Sequence, residues 1–204
     1  LKETRYPAST VTRTYDANGN LETVNDSNTN LRYAHDALNR PAVLTDSRLG
    51  NELRYYYDAF DNRIALHYPG SRIGYEYDAA GQLKKLTEKL GGFTSAFDFD
   101  YYPDGTRSKL TRPNGAFTEY FYDPAKRLER LLNRRADQFL VSGFRYGYDR
   151  VGNRRSMEVT EDGTPNHATS YGYDDLYRLA NETRTGRDPY ALAWAYDLGG
   201  NRLA

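Results

Sequence analysis

An aromatic-x-Tyr-Asp unit returns nine times along this 204-residue chain, and a period of that length marks a repeat architecture. Aligned on the second aromatic, the lead residues are Tyr15, His35, Tyr57, Tyr77, Tyr101, Tyr122, Tyr148, Tyr173 and Tyr196, at intervals of 20 to 26 residues. Two residues before them stand Arg13, Tyr33, Tyr55, Tyr75, Phe99, Tyr120, Tyr146, Tyr171 and Trp194, eight of the nine aromatic. The residue after the lead is Asp in eight units, and only Tyr102 departs. The frame uses 14 of the 20 tyrosines, so they are placed rather than scattered.

Strand side chains alternate with period two, so aromatics at i and i+2 share one face. The Asp-x-x-Gly that follows fits a type I turn whose Asp bonds nearby backbone amides. Gly19, Gly81, Gly105, Gly152 and Gly200 fill the fourth position after the lead. There glycine supplies the left-handed backbone that closes a bulged hairpin. Asn39 and Asp61 tolerate that backbone. Pro103 and Pro124 stand at the second turn position, which a type I turn favours. Lys126 and Tyr177 suit the glycine slot poorly and predict a different turn in their units. On the return strand, apolar residues six and nine after the lead have opposite parity, which a bulge between them reconciles. The links at 88–92 and 161–166 read as turns or loops outside the frame.

No long stretch has amphipathic helical periodicity, and no domain boundary shows. The expected fold is all-β, an array of about nine tandem β-hairpins forming a curved antiparallel β-sheet strip. Residues 1–204 read as one such array, with ends cut within repeats.

Charge narrows the function. Lys plus Arg and Asp plus Glu both number 28, so the chain has no net field to gather nucleic acid or anionic lipid. It has no cysteine, which removes disulfides, thiolate metal sites and thiol nucleophiles. A mean hydropathy of −0.88 and the lack of a long apolar run leave no membrane-spanning helix. The start, Leu1 to Pro7, has neither the basic head nor the apolar stretch of a signal peptide.

No catalytic constellation emerges. His35, His67 and His167 are far apart, and His35 occupies a lead slot. There is no HExxH, GxSxG or Walker A pattern. The repeated Asp is explained by turn chemistry rather than by paired acid and base. Asp16 to Asn20 resembles the opening of an EF-hand loop, but Leu21 stands where that loop needs Gly and Ser27 where it needs Glu. The expectation is therefore no enzyme, with no catalytic, cofactor-binding or metal residue and no cofactor. Arg63, Arg107, Arg154 and Arg202 recur just after the turn and read as a cross-strand pairing ladder. With exposed tyrosines they could instead form a glycan-contacting surface. Trp194 sits in an ordinary template slot.

Segments such as Tyr-Asp-Ala-Asn-Gly-Asn-Leu at 15–21, Tyr-Asp-Arg-Val-Gly-Asn-Arg at 148–154 and Tyr-Asp-Leu-Gly-Gly-Asn-Arg-Leu at 196–203 resemble the RHS/YD-repeat family. The resemblance covers nearly the whole chain. It implies a β-sheet strip that spirals into a hollow shell, as in bacterial polymorphic toxins, toxin-complex shell subunits and teneurins. In the bacterial cases the shell surrounds a toxic C-terminal domain. The family's Asp-Pro-Leu-Gly self-cleavage motif is absent, so no cleavage residue carries over.

The resemblance therefore implies a non-catalytic structural segment of a shell that encapsulates or displays a toxin-type passenger. The alternative is a glycan- or protein-binding β-module on a cell surface. Implied partners are the remaining shell repeats or a passenger domain, and a glycan under the alternative. No nucleic acid is implied. The implied location is secreted or cell-surface, in a bacterium. Nine hairpins at a ~4.8 Å strand spacing make a strip of roughly 85 Å, which closed on itself is a cylinder about 27 Å across. A 100-residue passenger is roughly 33 Å in diameter, so this length alone could not enclose one. Exposed strand edges would favour edge-to-edge self-association.

Overall fold

A computed structural model describes residues 2–6 and 9–203. All regular structure among them is β-strand. The chain divides into two compact units, residues 1–96 and 97–204, described separately below.

The first unit holds β1 (Lys2–Tyr6), β2 (Ser9–Tyr15), β3 (Leu21–Asn25), β4 (Asn30–His35), β5 (Pro41–Asp46), β6 (Asn51–Tyr57), β7 (Arg63–Tyr68), β8 (Ser71–Tyr77) and β9 (Leu83–Leu90). Each strand pairs antiparallel with the next in sequence. The second unit begins inside β10 (Phe93–Tyr101) and continues through β11 (Arg107–Thr111), β12 (Phe117–Tyr122), β13 (Leu128–Arg134) and β14 (Leu140–Tyr148). It ends with β15 (Arg154–Glu161), β16 (Thr164–Tyr173), β17 (Leu179–Gly186) and β18 (Tyr190–Ala193), again paired in sequence order. The ninth hairpin is marked by a single antiparallel bridge between Tyr196 and Arg202.

Register repeats as strictly as sequence does. Each lead residue faces the residue six positions on, as in Tyr57 with Arg63 and Tyr148 with Arg154. The aromatic two before the lead faces the residue nine after it, as in Tyr55 with Leu66 and Tyr146 with Met157. One residue between these pairs has no partner, for example Ile64 and Arg155. The expected bulge is thus seven residues after the lead, and it brings both apolar positions onto the aromatic face.

Two expectations are corrected. Lys126 and Tyr177 close the same turn as glycine does, with φ of 60° and 61°. Their amides donate to Asp123 and Asp174 at 2.8 and 2.9 Å, so the surrounding hairpin outweighs the cost of a left-handed side chain. The links at 88–92 and 161–166 are mostly strand. β9 runs to Leu90 before Gly91-Gly92, and β15 and β16 meet across Asp162-Gly163. Both Asp162 and Gly163 have positive φ, which matches the twist of a two-residue hairpin.

The buried core is small. Among the described residues only Ala65, Val159 and Tyr171 are buried apolar residues, joined by Thr118 and Thr169. A hairpin series covers its faces mainly with neighbouring side chains, which leaves most aromatics half-buried. Tyrosine suits that position, with an apolar ring and a hydroxyl that still needs a partner.

Candidate functional site

The repeated turn is a small carboxylate cage. The Asp58 backbone amide donates to the Asn62 carbonyl at 2.9 Å. In return, one Asp58 carboxylate oxygen accepts from the Phe60 and Asn62 amides at 2.8 and 2.9 Å. The other accepts from the Asn62 side chain at 3.0 Å. The same arrangement holds at Asp16, Asp149 and Asp197 with Asn20, Asn153 and Asn201. In three units an arginine replaces the asparagine. Arg40, Arg127 and Arg178 each donate from Nε to Asp36, Asp123 and Asp174 at 2.7 Å. These bonds hold the carboxylates below their ordinary pKa. The Asn62 side chain is the chief cause at Asp58, and the Arg127 amide at Asp123.

Consecutive hairpins are joined by the lead tyrosine. Tyr57 donates its phenol to the Pro41 carbonyl, Tyr77 to Arg63, Tyr148 to Leu128, Tyr173 to Arg154 and Tyr196 to Leu179, all at 2.8–2.9 Å. Each acceptor is the first return-strand residue of the preceding hairpin. Burial pushes the Tyr57 and Tyr77 phenols up in pKa, which keeps them protonated as donors.

The turn arginines complete the joint. Arg40, Arg127 and Arg178 lie over the next lead rings, Tyr57, Tyr148 and Tyr196, at 4.5, 4.8 and 4.4 Å. Arg63 and Arg154 lie over Tyr75 and Tyr171 at 4.8 and 4.7 Å, while Arg107 covers Phe99 in its own hairpin at 5.0 Å. The sequence reading placed Arg63, Arg107 and Arg154 in a pairing ladder; the structure puts all three on aromatic faces.

The fifth unit breaks the pattern. Tyr102 replaces the cage Asp, yet its amide still donates to Thr106 at 2.8 Å. Its phenol donates to the Tyr120 carbonyl at 3.0 Å, and its ring meets Tyr122 edge-on at 6.4 Å. A cleft of about 610 Å³ opens here, lined in part by Tyr102, Phe121, Tyr122, Glu129, Arg130 and Arg145.

The histidines do not converge. His35 holds its lead slot opposite Pro41, and His67 lies against the Tyr56 ring at 4.7 Å. His167 Nδ1 lies 2.9 Å from an Arg184 nitrogen; burial is the main cause of its lowered pKa, with the Arg184 charge adding to it. Among the described residues no group of three or more His, Asp or Glu could hold a metal. Trp194 donates its backbone amide to Ala180 at 2.8 Å. Sequence reasoning missed the Asn or Arg five residues after the lead, although Asn20, Arg40, Asn62, Arg127, Asn153, Arg178 and Asn201 recur at that spacing. It also did not foresee the hydrogen bond of the lead phenol.

With hairpin, cage and latch in place, known proteins give a match. Residues 15–48 match the family model described as RHS Repeat. The full fold is similar to that in the crystal structure of TcdB2-TccC3-TEV, with a TM-score of 0.72 and 18% identity over 95% of this chain. It is also similar to that in a Photorhabdus luminescens Tc holotoxin pore carrying a TccC3 mutation, with a TM-score of 0.66, 20% identity and the same coverage. This chain spans 14% of the length of each. No curated protein matches its sequence. The chain is a run of hairpins with the fold seen in Tc toxin structures. Within residues 15–48 its repeat matches the RHS Repeat model.

Proposed function

We propose that this chain is a non-catalytic wall segment of an RHS/YD-repeat shell that encloses or displays a toxin-type passenger. The observation that carries the reading is the latch, in which five lead phenols bond the preceding hairpin's backbone. Such a joint propagates a sheet one hairpin at a time. The likeness to structures containing TccC3 supports the same role. Under this reading residues 1–204 form one array, secreted or held at a bacterial surface, whose partners are further repeats and a passenger. Self-association through strand edges follows from the same geometry.

Light scattering after size exclusion, combined with small-angle X-ray scattering, tests it. A compact 204-residue monomer has a radius of gyration near roughly 17 Å. A clearly larger value, or edge-driven oligomers, supports an open wall segment. A compact monomer overturns it.

A further inference from the structure

Two departures from the repeat fall together around Tyr102. It is the one residue that replaces the cage Asp. The Tyr122 phenol makes no latch among the described residues, unlike the five lead tyrosines that bond the preceding hairpin. The carbonyl that would accept it is that of Arg107, the first return-strand residue of the preceding hairpin. Tyr102 and Tyr122 both line the cleft.

Two arginines of the cleft face each other. Arg130 and Arg145 are directly opposed across β13 and β14, and like charges so placed repel unless an anion lies between them. Neither makes an ion pair among the described residues, although Glu158 is the register partner of Arg145 on its other side. Arg130 is held with its guanidinium 4.1 Å from the Phe121 ring centre, so its planar fork is set before a ligand arrives. Two such forks suit a single carboxylate. A polyanion does not fit. Asp104, Asp123 and Glu129 all line the cleft, the first two paired with Lys126 and Arg127, and the chain as a whole carries no net charge.

The volume, about 610 Å³, is that of a small-ligand or short-peptide site. We propose that this cleft binds a peptide segment through one carboxylate, held by Arg130 and Arg145, with an adjacent aromatic or apolar side chain against Tyr102. The assignment goes beyond the shell reading and does not rest on it, because a wall segment needs no ligand here.

The test is a titration of the intact chain, followed by NMR, with acetyl-Phe-Glu-amide. The expected result is saturable shifts at the arginine side chains and at residues 102 and 121–122. Acetyl-Phe-Gln-amide should bind roughly tenfold more weakly, and Arg130→Gln and Arg145→Gln should each weaken the Glu peptide by about the same factor. Tyr102→Asp restores the repeat and should abolish binding, with its unfolding midpoint reporting that the fold is kept. Absence of saturable shifts, equal binding of the Gln peptide, or unchanged binding to Tyr102→Asp would overturn the proposal. So would glucuronate or inorganic phosphate binding as tightly as the peptide, which would mark a general anion site.

Discussion

The Tyr77 phenol donates to the Arg63 carbonyl at 2.9 Å, so one hairpin's aromatic strand is tied to the backbone that opens the return strand of the hairpin before it. The Arg63 guanidinium lies over the Tyr75 ring at 4.8 Å and reinforces the same joint. Ring packing alone would accept phenylalanine at the lead position. The hydrogen bond explains why tyrosine stands there instead.

Tyr77→Phe should therefore destabilise the chain by about 1 kcal/mol, the net worth of one hydrogen bond. Tyr77→Ala also removes the packed ring and should cost about 3 kcal/mol. Urea unfolding of the two variants separates the terms. If the phenylalanine variant is as stable as the parent, the latch contributes nothing.

Stability should fall at both ends of the pH scale. Asp16, Asp36, Asp58, Asp123, Asp174 and Asp197 are held below the ordinary carboxylate value by hydrogen bonds in the folded turn. Their contribution is present above the unfolded pKa of about 3.9 and is lost as pH falls through the lower folded value. Tyr57 and Tyr77 are shifted upward by burial, so theirs is present below about pH 10 and lost as pH rises through the higher folded value. Unfolding midpoints measured from pH 2 to pH 11 should form a plateau with a decline at each end. A midpoint that does not fall below pH 4 would exclude the carboxylate cage as a stabilising element.

Tyr177→Gly should stabilise the protein by about 1 kcal/mol, since the left-handed backbone penalises any side chain with a Cβ. Tyr177 is 61% exposed, so little packing is lost with its ring. Thermal unfolding would show a higher midpoint for the glycine variant.

Two glycines should respond differently to alanine. At Gly19, with φ of +84°, an added Cβ has no atom within 4 Å, and only backbone strain of about 1–2 kcal/mol is expected. At Gly186, with φ of +87°, the Cβ would lie 2.6 Å from the Asn166 carbonyl oxygen and 3.0 Å from His167 Cα. Backbone there must move, so Gly186→Ala should cost clearly more than Gly19→Ala in the same denaturant titration.

The local grammar of this protein is written in its sequence. Aromatics two apart specify a strand face, the following Asp and left-handed fourth position specify a turn, and opposite parity on the return strand specifies a bulge. These are interactions within about ten residues, and their spacing shows directly in the chain. The tertiary structure alone decided what joins one hairpin to the next. The Tyr77 phenol reaches a carbonyl 14 residues away, and Arg127 reaches the Tyr148 ring in the following unit. A backbone carbonyl acceptor leaves no mark in the sequence, because every residue carries one. The cleft at Tyr102 was half legible for the same reason. The missing Asp was visible, but the unlatched Tyr122 and the opposed Arg130 and Arg145 arise from pairing across strands, which linear spacing does not display.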